Sequence, residues 1–223
     1  MRGCFVTGTD TGAGKTVVAA ALCAALVARG QRVAAFKPVV TGTADDDAPA
    51  PDHELLAAAA GGLDPAGVAP LTYAPPASPH LAAELAGEAI DPPTLLAAAR
   101  RAGEGADALV VEGVGGLLVP LTWDYLVCDL ARDLGLPLVV AARPGLGTIN
   151  HTLLTLEAAR AAGLQVAGVV LTPWPQDPDP IELSNRESIA RLGAVEVSVL
   201  PLVDPADPAA LARAGVGLDA VSP

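Results

Sequence analysis

Short, unbroken apolar runs alternate along the chain with longer segments whose apolar positions recur every three or four residues. Cys4-Phe5-Val6, residues 32–38 (RVAAFKP), 107–113 (DALVVEG), 136–142 (LPLVVAA) and 165–171 (QVAGVVL) read as strands, with EVSVLPL as the last. Helices are predicted between them over 14–29, 54–60, 93–102, 125–134, 149–162 and 181–191. Gly30 and Gly163 stand where helix C-termini need a left-handed residue, and Asp124 stands as the N-cap of the helix from Tyr125. Residues 41–52 form a polar loop, and the Pro- and Gly-rich stretch 61–80 is expected to be irregular. The strands are apolar throughout, not alternating, so the sheet they form is covered on both faces. Alternating strands and helices then specify an α/β fold: a predominantly parallel sheet with helices on both faces, in one domain spanning 1–223. No internal repeat and no long linker divides it.

The first strand runs into VTGTDTGAGKTVVAAAL, residues 6–22, with three glycines and four threonines around one lysine. A bare strand-to-helix turn needs less. Glycines let successive backbone N–H groups turn inward around an anion, and the following helix N-terminus adds unpaired donors and partial positive charge. Lys15 is placed to reach β- and γ-phosphate oxygens, and the Thr16 hydroxyl to ligate Mg²⁺. Five residues, Thr9 to Ala13, separate Gly8 from Gly14, one more than the usual phosphate-loop spacing. The fold class is therefore P-loop NTPase-like.

In such sheets ligands bind at the carboxyl ends of the strands. That rule singles out Lys37, then Glu112 with Gly113-Val114-Gly115-Gly116, then Arg143 to Gly147, then Thr172-Pro173. A carboxylate at Glu112 would face the phosphates and hold Mg²⁺ directly or through water. An ammonium at Lys37 would neutralise charge building on a transferring phosphoryl group. The competing assignments are an ordinary strand-end glutamate at Glu112 and a solvated surface charge at Lys37. Asp45, Asp46, Asp47 and Asp52 are all within the acidic loop that could approach a metal, although a charge run is usually solvated.

Composition removes several classes. The 223 residues are 52% hydrophobic and 17% charged, which suits a globular domain with an ample core. A mean hydropathy of +0.46 raises the question of a membrane. The longest apolar run, Val17 to Ala28, is 12 residues, against about 20 for a span. The N-terminus enters a strand directly, so no signal peptide and no membrane partner are expected. Cys4, Cys23 and Cys128 sit in apolar surroundings, as reduced thiols of a cytoplasmic protein do. A formal net charge of −12 and 3% aromatic residues argue against nucleic acid.

VTGTDTGAGKT, FKPVVTGT, SPHLAAE, VVEGVGGLLVPL, GLGTINHTLLTLEAA and AGVVL, in this order over about residues 3–172, closely resemble the dethiobiotin synthetases. The resemblance implies a Mg²⁺- and ATP-dependent ligase of biotin synthesis. One amine of 7,8-diaminononanoate takes up CO2, ATP phosphorylates the carbamate, and the second amine closes the ureido ring. It further implies that Gly12, Ala13, Gly14, Lys15, Thr16 and Val17 hold the ATP phosphates, joined by Gly113, Val114 and Gly115. Lys15 and Lys37 become the catalytic cations, and Thr16, Asp52 and Glu112 the metal ligands. Asp52 is chosen over its acidic neighbours because it directly precedes a helix ending in Gly61, where the family's metal aspartate sits. Thr11, Lys37 and Thr41 contact the substrate. Gly147, Thr148, Ile149 and Asn150 receive the substrate carboxylate across a homodimer interface. Thr172, Pro173, Pro201, Leu202 and Val203 surround the base. Gly12 stands where the family often has glutamate, and Thr172 where it often has an adenine-reading asparagine, so acceptance of other nucleoside triphosphates is expected. The rival readings are a P-loop switch ATPase, which would need a second lysine where Asp10 stands, a cobyrinate-type synthetase, which would need a fused glutaminase domain, and a non-catalytic nucleotide-binding regulator.

Overall fold

The structure is a computed structural model, and it describes residues 2–43 and 50–222. Asp45, Asp46 and Asp47 lie outside the described residues. In chain order the elements are β1 (Gly3–Gly8), α1 (Lys15–Ala28), β2 (Val33–Phe36), β3 (Val40–Thr41), α2 (Asp52–Ala59), α3 (Pro65–Val68), β4 (Thr72–Tyr73), α4 (Pro79–Leu85) and α5 (Pro92–Ala102). Then come β5 (Ala108–Gly116), β6 (Pro120–Thr122), β7 (Tyr125–Leu126), α6 (Val127–Leu134), β8 (Leu138–Ala142) and α7 (Thr148–Ala161). The chain closes with β9 (Val166–Trp174), α8 (Pro180–Gly193), β10 (Val197–Pro201), α9 (Pro208–Gly215) and a 3-10 helix over Val216–Val221.

Six strands form one parallel sheet in the order β10-β9-β8-β1-β5-β2. From β1 the chain goes first to the edge strand β2, returns to place β5 beside β1, then crosses to the other side through β8, β9 and β10. The carboxyl end of β1 is therefore where the order reverses, the place where such sheets open a crevice. Alternation along each strand splits the interior in two. Cys4, Val6, Val110, Val139 and Val170 face a core with α1, α2 and α9. Phe5, Leu109, Val111, Leu138 and Leu171 face a core with α5, α6, α7 and α8. All three cysteines are free and buried; burial pushes the Cys4 thiol up to about 12 and raises those of Cys23 and Cys128.

Three expectations need correction. The helix expected from Tyr125 starts at Val127, because Tyr125 and Leu126 pair antiparallel with Thr122 and Pro120 in a hairpin. Asp124 accepts from the Thr122 hydroxyl at 2.7 Å inside that hairpin, and Asp129 closes the helix end instead, accepting from the Leu126 N–H at 2.7 Å. The stretch 61–80 holds α3, β4 and the start of α4. Finally, the strand expected to end at 113 continues to Gly116, with its register to β1 shifting between Val6 and Gly8. Among the described residues no helix is long and apolar enough to cross a membrane.

Candidate active site

The phosphate loop follows β1 directly. Gly12 and Gly14 have φ of +70° and +89°, which a side chain would strain. Gly14 is also the N-cap of α1, and a Cβ there would come within 2.4 Å of the Thr172 methyl. Loop, helix N-terminus and the end of β9 are thus fitted to a residue with no side chain.

The same period of two that builds the cores sets the polar residues. Glu112 shares the face of Val110, and Lys37 that of Ala35, so both strand ends present their charges on the side where α1 begins. Lys37 lies 2.5 Å from Glu112 Oε1 and 2.7 Å from Asp52 Oδ2. The Thr16 hydroxyl lies 2.9 Å from Asp52 Oδ1 and 3.0 Å from Glu112 Oε1. Lys15 turns back on its own loop, its Nζ donating to the Asp10 carbonyl at 3.1 Å. Lys37 is 3% exposed and Glu112 fully buried. A buried lysine and glutamate here are not solvated surface charges.

The charges hold one another. Burial would lower the Lys37 ammonium, but Glu112 first and Asp52 next raise it, so the lysine stays charged. Burial would raise the Asp52 carboxyl, but Lys37, with help from Thr16 and Lys15, holds it below the ordinary range. For Glu112 burial dominates and pushes the carboxyl up against the pull of Lys37. Burial also lowers the Lys15 ammonium, with Glu112 pulling back.

A hydroxyl and two carboxylates, all oxygen donors, suit a small hard cation that completes its octahedron with water and phosphate. Glu112 Oε2 is buried without a hydrogen-bond partner, so one oxygen remains to be satisfied. Thr16, Asp52 and Glu112 therefore fit Mg²⁺.

These groups open into a cavity of about 780 Å³. The loop and α1 contribute Thr11, Gly12, Gly14, Lys15, Thr16 and Val17 to its wall. Lys37, Thr41 and Asp52 come from the β2 side, and Glu112, Val114 and Gly115 from β5. Ser78 and Pro79 at the start of α4, together with Pro205, close the wall. Sequence reading missed these three. The quoted SPHLAAE held the signal for Ser78, because Ser-Pro opens a helix.

The comparisons follow this geometry. The AAA domain family model matches residues 2–206. The chain is 46% identical over 193 residues to the ATP-dependent dethiobiotin synthetase BioD of Anaeromyxobacter dehalogenans, 86% of each chain. It is 37% identical over 197 residues to that of Bacillus subtilis, 88% of this chain and 85% of the other. The chain belongs to the dethiobiotin synthetase family. Among solved structures, the septum site-determining protein MinD of Pyrococcus horikoshii, complexed with Mg-ADP, superposes with a TM-score of 0.56 over 98% of this chain and 96% of that one. At 17% identity that likeness shows the P-loop NTPase fold.

Other residues that the dethiobiotin synthetase resemblance marked lie elsewhere. Ala13, within the loop, has its side chain buried. A Cβ on Gly113 would meet Phe5 and Val127 at 3.0 and 3.1 Å, on the opposite face of the sheet. Thr172 is 2% exposed under Gly14, while Pro173 lines a second cavity of about 390 Å³ with Arg143 and Thr148. Pro201 ends β10, and Leu202 and Val203 follow it, with Leu202 83% exposed. Gly147 caps α7, whose first turn holds Thr148, Ile149 and Asn150. None of these four lines the large cavity.

Proposed function

We propose that the chain carries out the family's reaction, the ATP-dependent carboxylation and ring closure of 7,8-diaminononanoate to dethiobiotin. The observation that carries this reading is the cluster of Lys37, Glu112, Asp52 and Thr16 beside the phosphate loop. Each step adds negative charge to carbamate or phosphoryl oxygens, so catalysis is mainly positioning and electrostatics. Lys15 swings from the Asp10 carbonyl to the phosphates, and the inward N–H groups from Gly12 to Val17 hold the β- and γ-phosphates. Lys37 faces the carbamate oxygen that attacks the γ-phosphoryl group, and Thr11 and Thr41 orient the diamine. Thr16, Asp52 and Glu112 would hold Mg²⁺, which would supply neutralisation of phosphate charge. The second amine then attacks the carbamic-phosphoric anhydride, phosphate leaves, and the ring closes. Phosphate release from ATP that requires both diaminononanoate and bicarbonate tests the assignment; release indifferent to either would return the chain to the switch ATPases.

We infer two finer points. The chain acts as a homodimer in the cytoplasm, with Gly147 to Asn150 of one subunit receiving the substrate carboxylate of the other. The support is their place outside the chain's own large cavity, at a helix N-terminus suited to an anion. The base pocket, around Thr172, Pro173 and Pro201 to Val203, accepts other nucleoside triphosphates. Thr172 presents a hydroxyl, which cannot reproduce an amide's paired donor and acceptor. With CTP, GTP or UTP, kcat/KM is expected within about a hundredfold of ATP. Values more than about a thousandfold worse would show that backbone groups read adenine.

A further inference from the structure

Arg143 follows β8, the neighbour of β1, and stands behind the phosphate loop. Its Nη2 donates to the Thr11 carbonyl at 3.0 Å and its Nε to the Gly12 carbonyl at 3.2 Å. It forms no ion pair with a carboxylate among the described residues. The segment that follows is pinned from the other side. Asn185 of α8 is 6% exposed, and its Nδ2 donates to the carbonyls of Pro144 at 2.9 Å and Gly145 at 3.2 Å.

A loop that turns N–H groups inward must turn carbonyls outward. Here the carbonyls of Thr11 and Gly12 both receive Arg143, while the Asp10 carbonyl takes Lys15 at 3.1 Å and the Ala13 N–H at 3.4 Å. The Thr11 carbonyl belongs to the peptide of the Gly12 N–H, and the Gly12 carbonyl to that of the Ala13 N–H. A charge-assisted bond at the oxygen fixes the orientation of each peptide and polarises its N–H. A Cβ on Gly12 would come within 3.1 Å of Arg143 Nη2, so the guanidinium closes over the loop where that glycine leaves room.

We propose that Arg143 is a positioning residue for the polyphosphate. It acts through the Thr11 and Gly12 carbonyls, fixing the two peptides they belong to and polarising the Gly12 N–H for the phosphates. The planar fork is the essential feature, because one lysine ammonium cannot present two parallel donors to two successive carbonyls. The inference rests on the reading of this loop as the ATP site.

The test is calorimetric binding of MgADP and MgATP to the full chain, with melting of the ligand-free protein and steady-state kinetics alongside. Arg143→Ala is expected to raise both dissociation constants, and the KM for ATP, by about tenfold or more. The KM for diaminononanoate should stay within about twofold, and the ligand-free Tm within about 4 °C, as befits an exposed side chain. Arg143→Lys should recover less than half of the loss on a logarithmic scale. Unchanged nucleotide binding in Arg143→Ala overturns the proposal. So does wild-type behaviour of Arg143→Lys, which would leave only a distant charge effect. Loss of the fold in Arg143→Ala, Arg143→Lys and Arg143→Gln alike would make the residue a structural strut and overturn it too. A wild-type chain that binds neither nucleotide would instead sink the functional reading.

Discussion

Lys37 is buried and held at 2.5 and 2.7 Å by two carboxylates, so its ammonium is fixed in place before any substrate arrives. Its effect should concentrate where phosphoryl charge develops. Lys37→Met is expected to cut kcat by more than about tenfold while MgATP binding changes little. A smaller drop would mean that the lysine only balances Glu112. Thr16→Val removes a hydroxyl that meets both carboxylates and should abolish Mg²⁺-dependent turnover with the fold intact, as circular dichroism would show. This part of the site was legible in the sequence, because Lys37 and Glu112 both end apolar runs and strand ends converge at the carboxyl edge. Arg143 stood in the same list of strand ends without a role. Its partners are main-chain carbonyls, which leave no residue-type signature.

Among elements, the long buried strands and helices announced themselves by period, whereas the short ones needed partners that only the fold supplies. β6 and β7 pair across two residues, and α3 is a single turn opened by Asp64 and Pro65. The C-terminal elements went unread because α9 is defined by what it packs on. A Cβ on Gly215 would come within 2.3 Å of the Ala21 carbonyl of α1. Gly215→Ala should therefore destabilise by about 1–3 kcal/mol in urea unfolding, by overpacking and not by loss of backbone freedom. An unchanged midpoint would show that α9 slides off at no cost. At the other end of the sheet, Asp107 joins the start of β5 to that of β2. Its carboxylate takes hydrogen bonds of 2.9 Å from both the backbone N–H and the guanidinium of Arg32. The Arg32 hydrogen bonds hold the Asp107 carboxyl down to about 2, against 3.8 ordinarily. The depressed value belongs to the folded state, so the stabilisation is complete above pH 3.8 and disappears as pH falls through about 2. Wild type and Asp107→Asn should accordingly differ in Tm at neutral pH and converge in that acid window; a difference that persists at pH 2 would assign the effect to packing.

At the scale of the whole molecule, the sheet order places the phosphate loop at its point of reversal, while the first turn of α7 lies outside the large cavity. Shared sites between two copies follow if that turn serves a partner. Mixing inactive Lys37→Met with an inactive variant carrying a bulky residue at Gly147, φ +91°, should then restore activity through hybrid dimers. No recovery after verified subunit exchange would confine each site to one chain. The two-sided core has one more consequence, for measurement. It encloses Cys4, Cys23 and Cys128 and keeps their thiols protonated at neutral pH, so maleimide dyes find no native target in the folded protein. A cysteine introduced at an exposed position such as Leu85 or Leu192, 63% and 69% accessible, becomes the sole labelling handle. The wild-type chain is thus its own silent background for site-specific fluorescence labelling.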